Sequence, residues 1–287
     1  MWFFQTQRFP VAHSRDYTGM AEPVEPPQTL EGWYVLHDQW RLDWPRWRAL
    51  PIEERQRRTE ELFAWQALST TGCSATYAVV GQKADLLFVH YRKTIAEIHA
   101  VTTGFHRLAL AEELSPAGSF LSIIEASLYE ASAHARAVLA QRGMTPESPG
   151  YKAGLAEETQ RARTALDARL FRAIPNQSHL CWYPMTKRRT AQDNWYVMTL
   201  DERRALMRGH GQVGQQFAGQ VTQVISGSIG LDDWEWAVDL HADDPLVFKK
   251  LVTAMRYEIG SARFAEFGQF IVGLRQDPEA LGRLLLG

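Results

Sequence analysis

The residue types around His210 suit metal chemistry better than those elsewhere in the chain. The predicted helix that spans this histidine contains four glycines, and each costs roughly 1 kcal/mol relative to alanine in a helix interior. The usual reason for such glycines is a backbone or flat ligand that must approach closely. These glycines are Gly209, Gly211, Gly214 and Gly219.

The apolar face of the same helix carries His210 itself. Leu206, Met207, Val213 and Phe217 recur on this face at helical spacing. A neutral imidazole in this setting predicts an axial metal ligand under a planar macrocycle. A buried core histidine hydrogen-bonded to a carbonyl is the alternative.

Other positions in the second half carry polar residues where a purely structural fold would have apolar ones. Tyr183–Arg189 places a tyrosine and three cations just after a strand, either to hold carboxylates or as solvated surface. Gln223 lies in an apolar run and predicts a buried amide that needs a partner or ligand. Ser261 is expected to donate to a carboxylate or to cap the next helical turn. Trp195 is expected in the core.

The elements that position these residues form two copies of one unit, offset by about 149 residues. Glu53 and Glu202 are 149 residues apart, as are Arg55 and Arg204. Each copy predicts strand, helix, strand, strand, helix, strand, which is the ferredoxin-like arrangement. We therefore expect an α+β fold of two tandem ferredoxin-like units, with the sheets joined side by side and the helices outside, as in the dimeric α/β barrel superfamily.

The predicted boundaries follow from this repeat. Residues 1–28 are an irregular, proline-containing arm, and residues 29–130 are a scaffold half. Residues 131–175 are a helical connector, and residues 176–287 are the half that carries the chemistry. Glu61 occupies the place in the first copy that His210 occupies in the second.

Composition narrows the class of protein. The chain has 287 residues, 45% of them hydrophobic, and a net charge of −2, which gives no basic surface for nucleic acid. Two cysteines fit a reducing compartment. The N-terminus lacks the pattern of a signal peptide, and no apolar run reaches the roughly 18 residues of a membrane span. We expect a cytoplasmic protein.

The motifs of the second half, taken together, resemble those of the coproheme decarboxylases of the chlorite dismutase superfamily. The resemblance covers roughly residues 165–275. The motifs that carry it are Tyr-Pro-Met-x-Lys-Arg-Arg, Asn-Trp-Tyr, His-Gly-x-x-Gly, Gln-Val-x-Ser-Gly-Ser-x-Gly-Leu-Asp-Asp-Trp-Glu-Trp, Met-Arg-Tyr and Ser-Ala-Arg, at Tyr183–Arg189, Asn194–Tyr196, His210–Gly214, Gln223–Trp236, Met255–Tyr257 and Ser261–Arg263.

This resemblance implies a function and a set of roles. Enzymes of this kind use hydrogen peroxide to remove two propionate carboxyls from iron-coproporphyrin III (coproheme), which gives haem b and carbon dioxide. It implies that His210 is the proximal iron ligand, that Tyr183 abstracts hydrogen and that Lys187 steers the propionate. It also implies substrate contacts by Arg169, Pro184, Met185, Thr186, Gln223 and Ser261.

The resemblance further implies a cytoplasmic homopentamer that receives its substrate from a ferrochelatase. Gln223 argues against chlorite dismutation, because chlorite-degrading relatives carry an arginine there. Gln215 falls where a basic residue is expected, and Arg208 or Arg263 is the expected replacement. Glu258 and Glu266 are the two candidate partners of His210. The competing hypotheses are a haem carrier or sensor, a chlorite dismutase-like haem peroxidase and a purely structural protein.

Overall fold

The computed structural model describes residues 29–67, 72–127 and 129–287. The predicted arm, residues 1–28, lies outside these ranges. The described strands are β1 Thr29–Leu42, β2 Cys73–Val79, β3 Leu86–Arg92, β4 Leu114–Ser127, β5 His179–Lys187, β6 Thr222–Gly227, β7 Trp236–Ala242, β8 Ala265–Phe267 and β9 Ile271–Gln276.

The helices lie between these strands and after the last one. They are α1 Trp44–Ala49, α2 Ile52–Ala67, α3 Ile95–Phe105, α4 Tyr129–Gln141, α5 Tyr151–Leu170, α6 Leu200–Gln215, α7 Leu246–Tyr257, α8 Ile259–Phe264 and α9 Pro278–Leu286. None of the helices described is long and apolar enough to cross a bilayer.

Strand order confirms the duplicated ferredoxin-like fold. The first unit has the order β4-β1-β3-β2 and the second has the order β9-β5-β7-β6, all antiparallel. The units join through β4 with β6 and through β2 with β9. Because β5 also pairs with β7, the described strands close into a barrel, and β8 extends β5 at one edge.

Local sequence explains where the main helices begin. Thr94 and Glu97 form a reciprocal capping box at the start of α3, and Thr199 and Glu202 form one at the start of α6. Each box satisfies backbone N–H groups that the first helical turn would leave without acceptors. Thr199 therefore begins the helix that carries His210.

Strand alternation separates the apolar residues into three layers. One cluster fills the barrel interior and includes Val35, Tyr91 and Trp182. A second packs α2, α3 and α9 on the outer face of the first sheet. The third packs α7 and the end of α6 on the outer face of the second sheet and includes Tyr183 and Val238. The outer face of the second sheet positions the candidate site.

Several details differ from the sequence-based expectations. Gly219 does not belong to the helix of His210, because α6 ends at Gln215 and Gly219 has a φ of 78°. That left-handed conformation explains the glycine without a ligand. The short strand β8 and the helices α1 and α9 were not predicted. Two helices, α4 and α5, occupy most of residues 131–175. The domain boundaries remain predictions.

Candidate functional site

His210 lies in the last turns of α6, and its ring lies near the N-terminus of α8. Its Nδ1 atom is 3.4 Å from Glu258 Oε2 and 3.3 Å from Ser261 Oγ. Glu258 caps α8: its carboxylate accepts from Gly260 N at 2.8 Å and from Ser261 N at 2.9 Å. The cap of α8 thus fixes the carboxylate that faces the imidazole.

Glu258 is an ionised partner for this histidine. Burial alone would raise the pKa of its carboxyl, but the two backbone N–H groups and His210 outweigh burial and hold the pKa below its usual value. Of the two candidates from the sequence, Glu258 therefore contacts His210. Glu266 instead lies 3.3 Å from Arg188 Nε.

The other nitrogen of His210 is available to a ligand. Burial and the nearby charge of Lys187 lower the pKa of His210, while Glu258 opposes the shift. The imidazole is therefore neutral near pH 7. With Nδ1–H directed at Glu258, Nε2 carries the lone pair, and within the described chain it has no hydrogen-bond partner. The side chain is 31% exposed.

The glycines of α6 differ in what surrounds them. A Cβ at Gly209 would lie 3.6 Å from Glu258 Oε1, and one at Gly214 would lie 3.4 Å from the terminal carbon of Met255. These two glycines face α8 and α7 at ordinary contact distance. A Cβ at Gly211 would meet no heavy atom within 4 Å. Gly211 is exposed and faces open space. Met207, predicted on the apolar face, is 46% exposed.

Tyr183 stands on the outer face of β5 within an aromatic group. Its ring stacks on Phe270 with a centroid distance of 4.3 Å and meets Phe267 edge-on at 5.7 Å. The residue is 6% exposed. Burial raises the pKa of the Tyr183 phenol, so its hydroxyl stays protonated at neutral pH. Such a phenol loses an electron and a proton together rather than ionising first.

Lys187 follows Tyr183 by four residues and lies on the same face of β5. Its Nζ atom lies 4.4 Å from the centroid of the Trp195 ring. Burial lowers the pKa of Lys187 to about 8, although Glu258 and Glu235 oppose the shift. Trp195, expected to be a core residue, is 8% exposed and packs edge-on against Phe264. It therefore forms part of the site wall as well as the core.

The two neighbouring cations face different partners. Arg188 is near Glu266, and Arg189 is 66% exposed, with Nη1 3.9 Å from Glu235 Oε1. Glu235 also accepts from the backbone N of Lys187 at 2.7 Å. Of the three cations predicted here, Lys187 is the one on the face that carries Tyr183.

Gln223 occupies the same outer face but is exposed, which corrects the expectation of a buried amide. In register, Gln223 pairs with Leu240, which pairs with Cys181, and Ile225 pairs with Val238, which pairs with Tyr183. Gln223 thus lies on β6, which β7 separates from β5. It is two residues along β6 from Ile225, the residue in register with Tyr183. An exposed amide at this point is open to a ligand.

The remaining predicted contacts are placed differently. Met185 shares the face of Tyr183, but alternation turns Pro184 and Thr186 to the opposite face, so contacts by these two on the Tyr183 side are limited to backbone atoms. Arg169 is exposed in the last turn of α5, which packs on β1 and β4. The structure does not bring it into contact with His210 or Tyr183 within the described residues.

Two further residues clarify the anion-binding potential. Arg263 is bound through Nε and Nη2 to Asp193 Oδ1 at 3.0 and 2.7 Å, so it does not replace the basic residue missing at the exposed Gln215. Arg256 was not predicted: its guanidinium lies 4.9 Å from the centroid of Phe267 and acts on Tyr183 electrostatically. The Met-Arg-Tyr motif was the available signal for it.

This donor set fits an iron porphyrin. The imidazole Nε2 of His210 would hold the iron of such a group. Val213 and Ile225 add apolar surface. Lys187 and Arg256 provide positive charge for peripheral carboxylates.

Comparisons with known proteins agree with this assignment. The family model of chlorite dismutase matches residues 51–276. A solved haem-binding protein from Thermus thermophilus is 41% identical, with a TM-score of 0.76 over 91% of this chain and 98% of its own. A variant of chlorite dismutase from Candidatus Nitrospira defluvii is 18% identical, with a TM-score of 0.68 over 90% of this chain and 96% of its own.

Proposed function

The chain belongs to the chlorite dismutase family, and we propose that it decarboxylates coproheme with hydrogen peroxide as the oxidant. In this proposal two propionates of iron-coproporphyrin III become vinyl groups, and the products are haem b and two molecules of carbon dioxide. His210 is the axial ligand of the substrate iron, Tyr183 is the catalytic residue, and Lys187 positions the reacting propionate.

The observation that carries the proposal is the placement of Tyr183 and Lys187. Both side chains lie on the outer face of β5, and the charge of Lys187 acts directly on His210. An oxidisable phenol and an ammonium group thus share one strand face, about 13 Å apart along the strand, and the ammonium charge reaches the imidazole proposed to bind iron. A protein that only carries haem needs the imidazole but has no use for a buried tyrosine on the strand face that also carries a lysine.

The chain's own groups define the step. The iron of the bound substrate and hydrogen peroxide supply a two-electron oxidation for each propionate. The Lys187 ammonium holds the carboxylate. The Tyr183 hydroxyl gives up its hydrogen atom and then takes one from the propionate carbon that is bonded to the porphyrin ring. The resulting propionate radical passes its second electron to the peroxide-oxidised substrate iron and loses carbon dioxide, which leaves a vinyl group. Each round consumes one propionate, one peroxide and one proton, and it yields one vinyl, one carbon dioxide and two waters.

The proposal extends to the setting of the enzyme. Family resemblance supports a homopentamer in the cytoplasm, which takes coproheme from a ferrochelatase. Gln223, in place of an arginine, supports peroxide rather than chlorite as the oxidant, because a neutral amide offers no charge to hold an oxyanion.

A haem carrier or sensor is the second candidate, and the haem-binding protein from Thermus thermophilus is the observation that favours it. One experiment separates the two. Purified protein is loaded with coproheme and titrated with hydrogen peroxide, and the porphyrin is followed by mass. Loss of two carboxyl groups supports the decarboxylase, whereas tight binding with no change in mass supports the carrier.

A further inference from the structure

The carboxylate of Glu235 lies at the point where the ladder between β5 and β7 ends. A backbone bond from Glu235 N to Met185 O, at 3.1 Å, follows the last residue pair of this ladder. The next N–H on that edge of β5 belongs to Lys187, and it donates to Glu235 Oε2 at 2.7 Å rather than to a backbone carbonyl. A side chain therefore completes the sheet at the residue that carries the ammonium group.

The same carboxylate faces the turn that follows β5. Burial and the Glu235 carboxylate together raise the pKa of the Tyr196 phenol, so these two side chains lie close to each other. Tyr196 follows Trp195, whose backbone N donates to Arg188 O at 3.0 Å and whose ring lies 4.4 Å from Lys187 Nζ. Glu235 thus lies between the backbone of Lys187 and the turn whose indole contacts the ammonium group.

The surroundings of Glu235 show that its main contacts are internal. The residue is 7% exposed, and its backbone carbonyl accepts from Ser228 N at 2.8 Å. Its Oε1 atom is 3.9 Å from Nη1 of Arg189, but that side chain is 66% exposed, so the ion pair contributes little. A buried carboxylate requires hydrogen-bond donors, and the N–H of Lys187 is one of them.

We propose that Glu235 is a positioning residue of the site, which directs the Lys187 ammonium group towards the reacting propionate. The inference rests on the proposed function, in which Lys187 holds that propionate. Glu235 itself does not touch the substrate, because two carboxylates at close distance repel each other. It acts through the backbone of Lys187 and through the turn that carries Trp195. These contacts restrict a long, flexible side chain before the substrate binds, which lowers the entropy that binding costs.

The test compares coproheme with haem b, which lacks the two propionates that the proposed reaction removes. Full-length variants are titrated with each porphyrin at about pH 6.5, where Lys187 is charged. Glu235→Met keeps the volume but has no oxygen acceptor for Lys187 N. It is expected to weaken coproheme binding on the order of tenfold and to leave haem b binding unchanged. Equal losses for the two porphyrins, or no loss for either, would overturn the proposal, because a purely structural residue would not discriminate between them.

Two further substitutions separate position from charge and from packing. Glu235→Gln keeps an oxygen acceptor for Lys187 N and is expected to retain most of the affinity for coproheme. Glu235→Ala, which leaves space for water at that N–H, carries the same expectation as Glu235→Met and replaces it if the larger apolar side chain prevents folding. A loss in Glu235→Gln as large as that in Glu235→Met would assign the effect to charge and would refute the positioning role.

A second carboxylate at the same end of β5 provides the matched control. Glu266 lies opposite Thr186 in the pairing of β5 with β8, and its side chain is 50% exposed beside Arg188. Glu266→Met removes the same charge and should leave both affinities unchanged. A fall in coproheme affinity equal to that of Glu235→Met would contradict a specific role of Glu235.

A double variant tests whether Glu235 acts through Lys187. In the Lys187→Met protein, Glu235→Met should cause no further loss of coproheme affinity, because the group that it positions is already absent. The same loss in both backgrounds would show that Glu235 acts independently and would refute the proposal. The proposed function fails by a different result, an unchanged porphyrin mass after peroxide is added to the unmodified protein, and the affinity ratios test Glu235 in either case.

Discussion

The Nδ1 atom of His210 lies 3.4 Å from Oε2 of Glu258, across 48 residues of chain. The same carboxylate caps α8 through the N–H groups of Gly260 and Ser261. A helix start therefore sets the orientation and the tautomer of the proposed iron ligand. A partner of this kind raises the basicity of a ligating imidazole, and its loss typically costs 10–100-fold in affinity or activity.

Replacement of Glu258 is expected to change the reduction potential of the bound iron. In Glu258→Gln, the imidazole donates less electron density, so the reduction potential of the bound iron should rise. Spectroelectrochemical titration of the coproheme-loaded protein measures it. Glu266→Gln is the matched control, because Glu266 is 50% exposed and pairs with Arg188. Equal potentials in the two variants would remove Glu258 from its assigned role.

The space beside Gly211 predicts opposite effects on folding and binding. Gly211→Ala adds a methyl group where no atom lies within 4 Å, so it should raise the free energy of unfolding by about 1 kcal/mol through helix propensity. The same methyl should weaken coproheme binding. Urea unfolding and spectral titration measure the two effects.

The control for this glycine is Gly219→Ala. Gly219 has a φ of 78°, so alanine there should destabilise the protein and leave the intrinsic affinity for coproheme unchanged. If Gly211→Ala binds coproheme as tightly as the unmodified protein, the porphyrin does not lie against that turn of α6.

Lys187 predicts a pH dependence. Its pKa is about 8 in the folded protein and 10.5 without burial, so its positive charge is present below about pH 8 and is lost above it. Affinity for coproheme should therefore fall as the pH rises through about 8. In the absence of ligand, the unfolded chain binds more protons between pH 8 and 10.5, so this group adds stability as the pH rises through that window.

The test of this dependence is a series of coproheme titrations from about pH 6.5 to about pH 9.5, which brackets the ionisation of Lys187. Lys187→Met should bind more weakly at low pH and lose the inflection near pH 8. Lys250→Met, in an exposed position on α7, should keep it. An inflection that survives in Lys187→Met would assign it to another group.

Gln223 predicts which oxidant the site accepts. Gln223→Arg places a cation at an exposed position, so the melting temperature should change little. An arginine there can hold an oxyanion, so we expect oxygen release from chlorite to increase from the level of the unmodified protein. An oxygen electrode measures the rate. No increase would show that the amide does not select against chlorite.

The fold was predictable because its signals are local and occur twice. The capping box of Thr199 and Glu202 begins α6, and this signal is local to the chain whichever tertiary structure forms. The repeat predicts two sheets side by side, but no local pattern specifies the residues that pair where the two units join, β4 with β6 and β2 with β9. The strand β8 is only three residues long and carries no readable period.

The candidate site was predictable only in part for the same reason. The glycines around His210 are recognisable in the sequence because they destabilise a helix. The spacing of Tyr183 and Lys187 alone places them on one face of a strand. Glu258 and Glu266 are equally plausible from the sequence, and only the packing of α8 against α6 separates them. Gln223 was expected to be buried because its neighbours are apolar, yet its own face of β6 is exposed there.

The central claim is that Tyr183 carries out the bond-breaking step while His210 holds the iron. Tyr183→Phe keeps the ring that stacks on Phe270 and removes only the hydroxyl, so coproheme binding should be retained. Tyr257→Phe, at a side chain 88% exposed, is the matched control. The measurement is the porphyrin mass after a peroxide titration of each loaded protein. We predict loss of two carboxyl groups in the unmodified protein and in Tyr257→Phe, and an unchanged mass in Tyr183→Phe. Loss of both carboxyl groups in Tyr183→Phe would contradict the account.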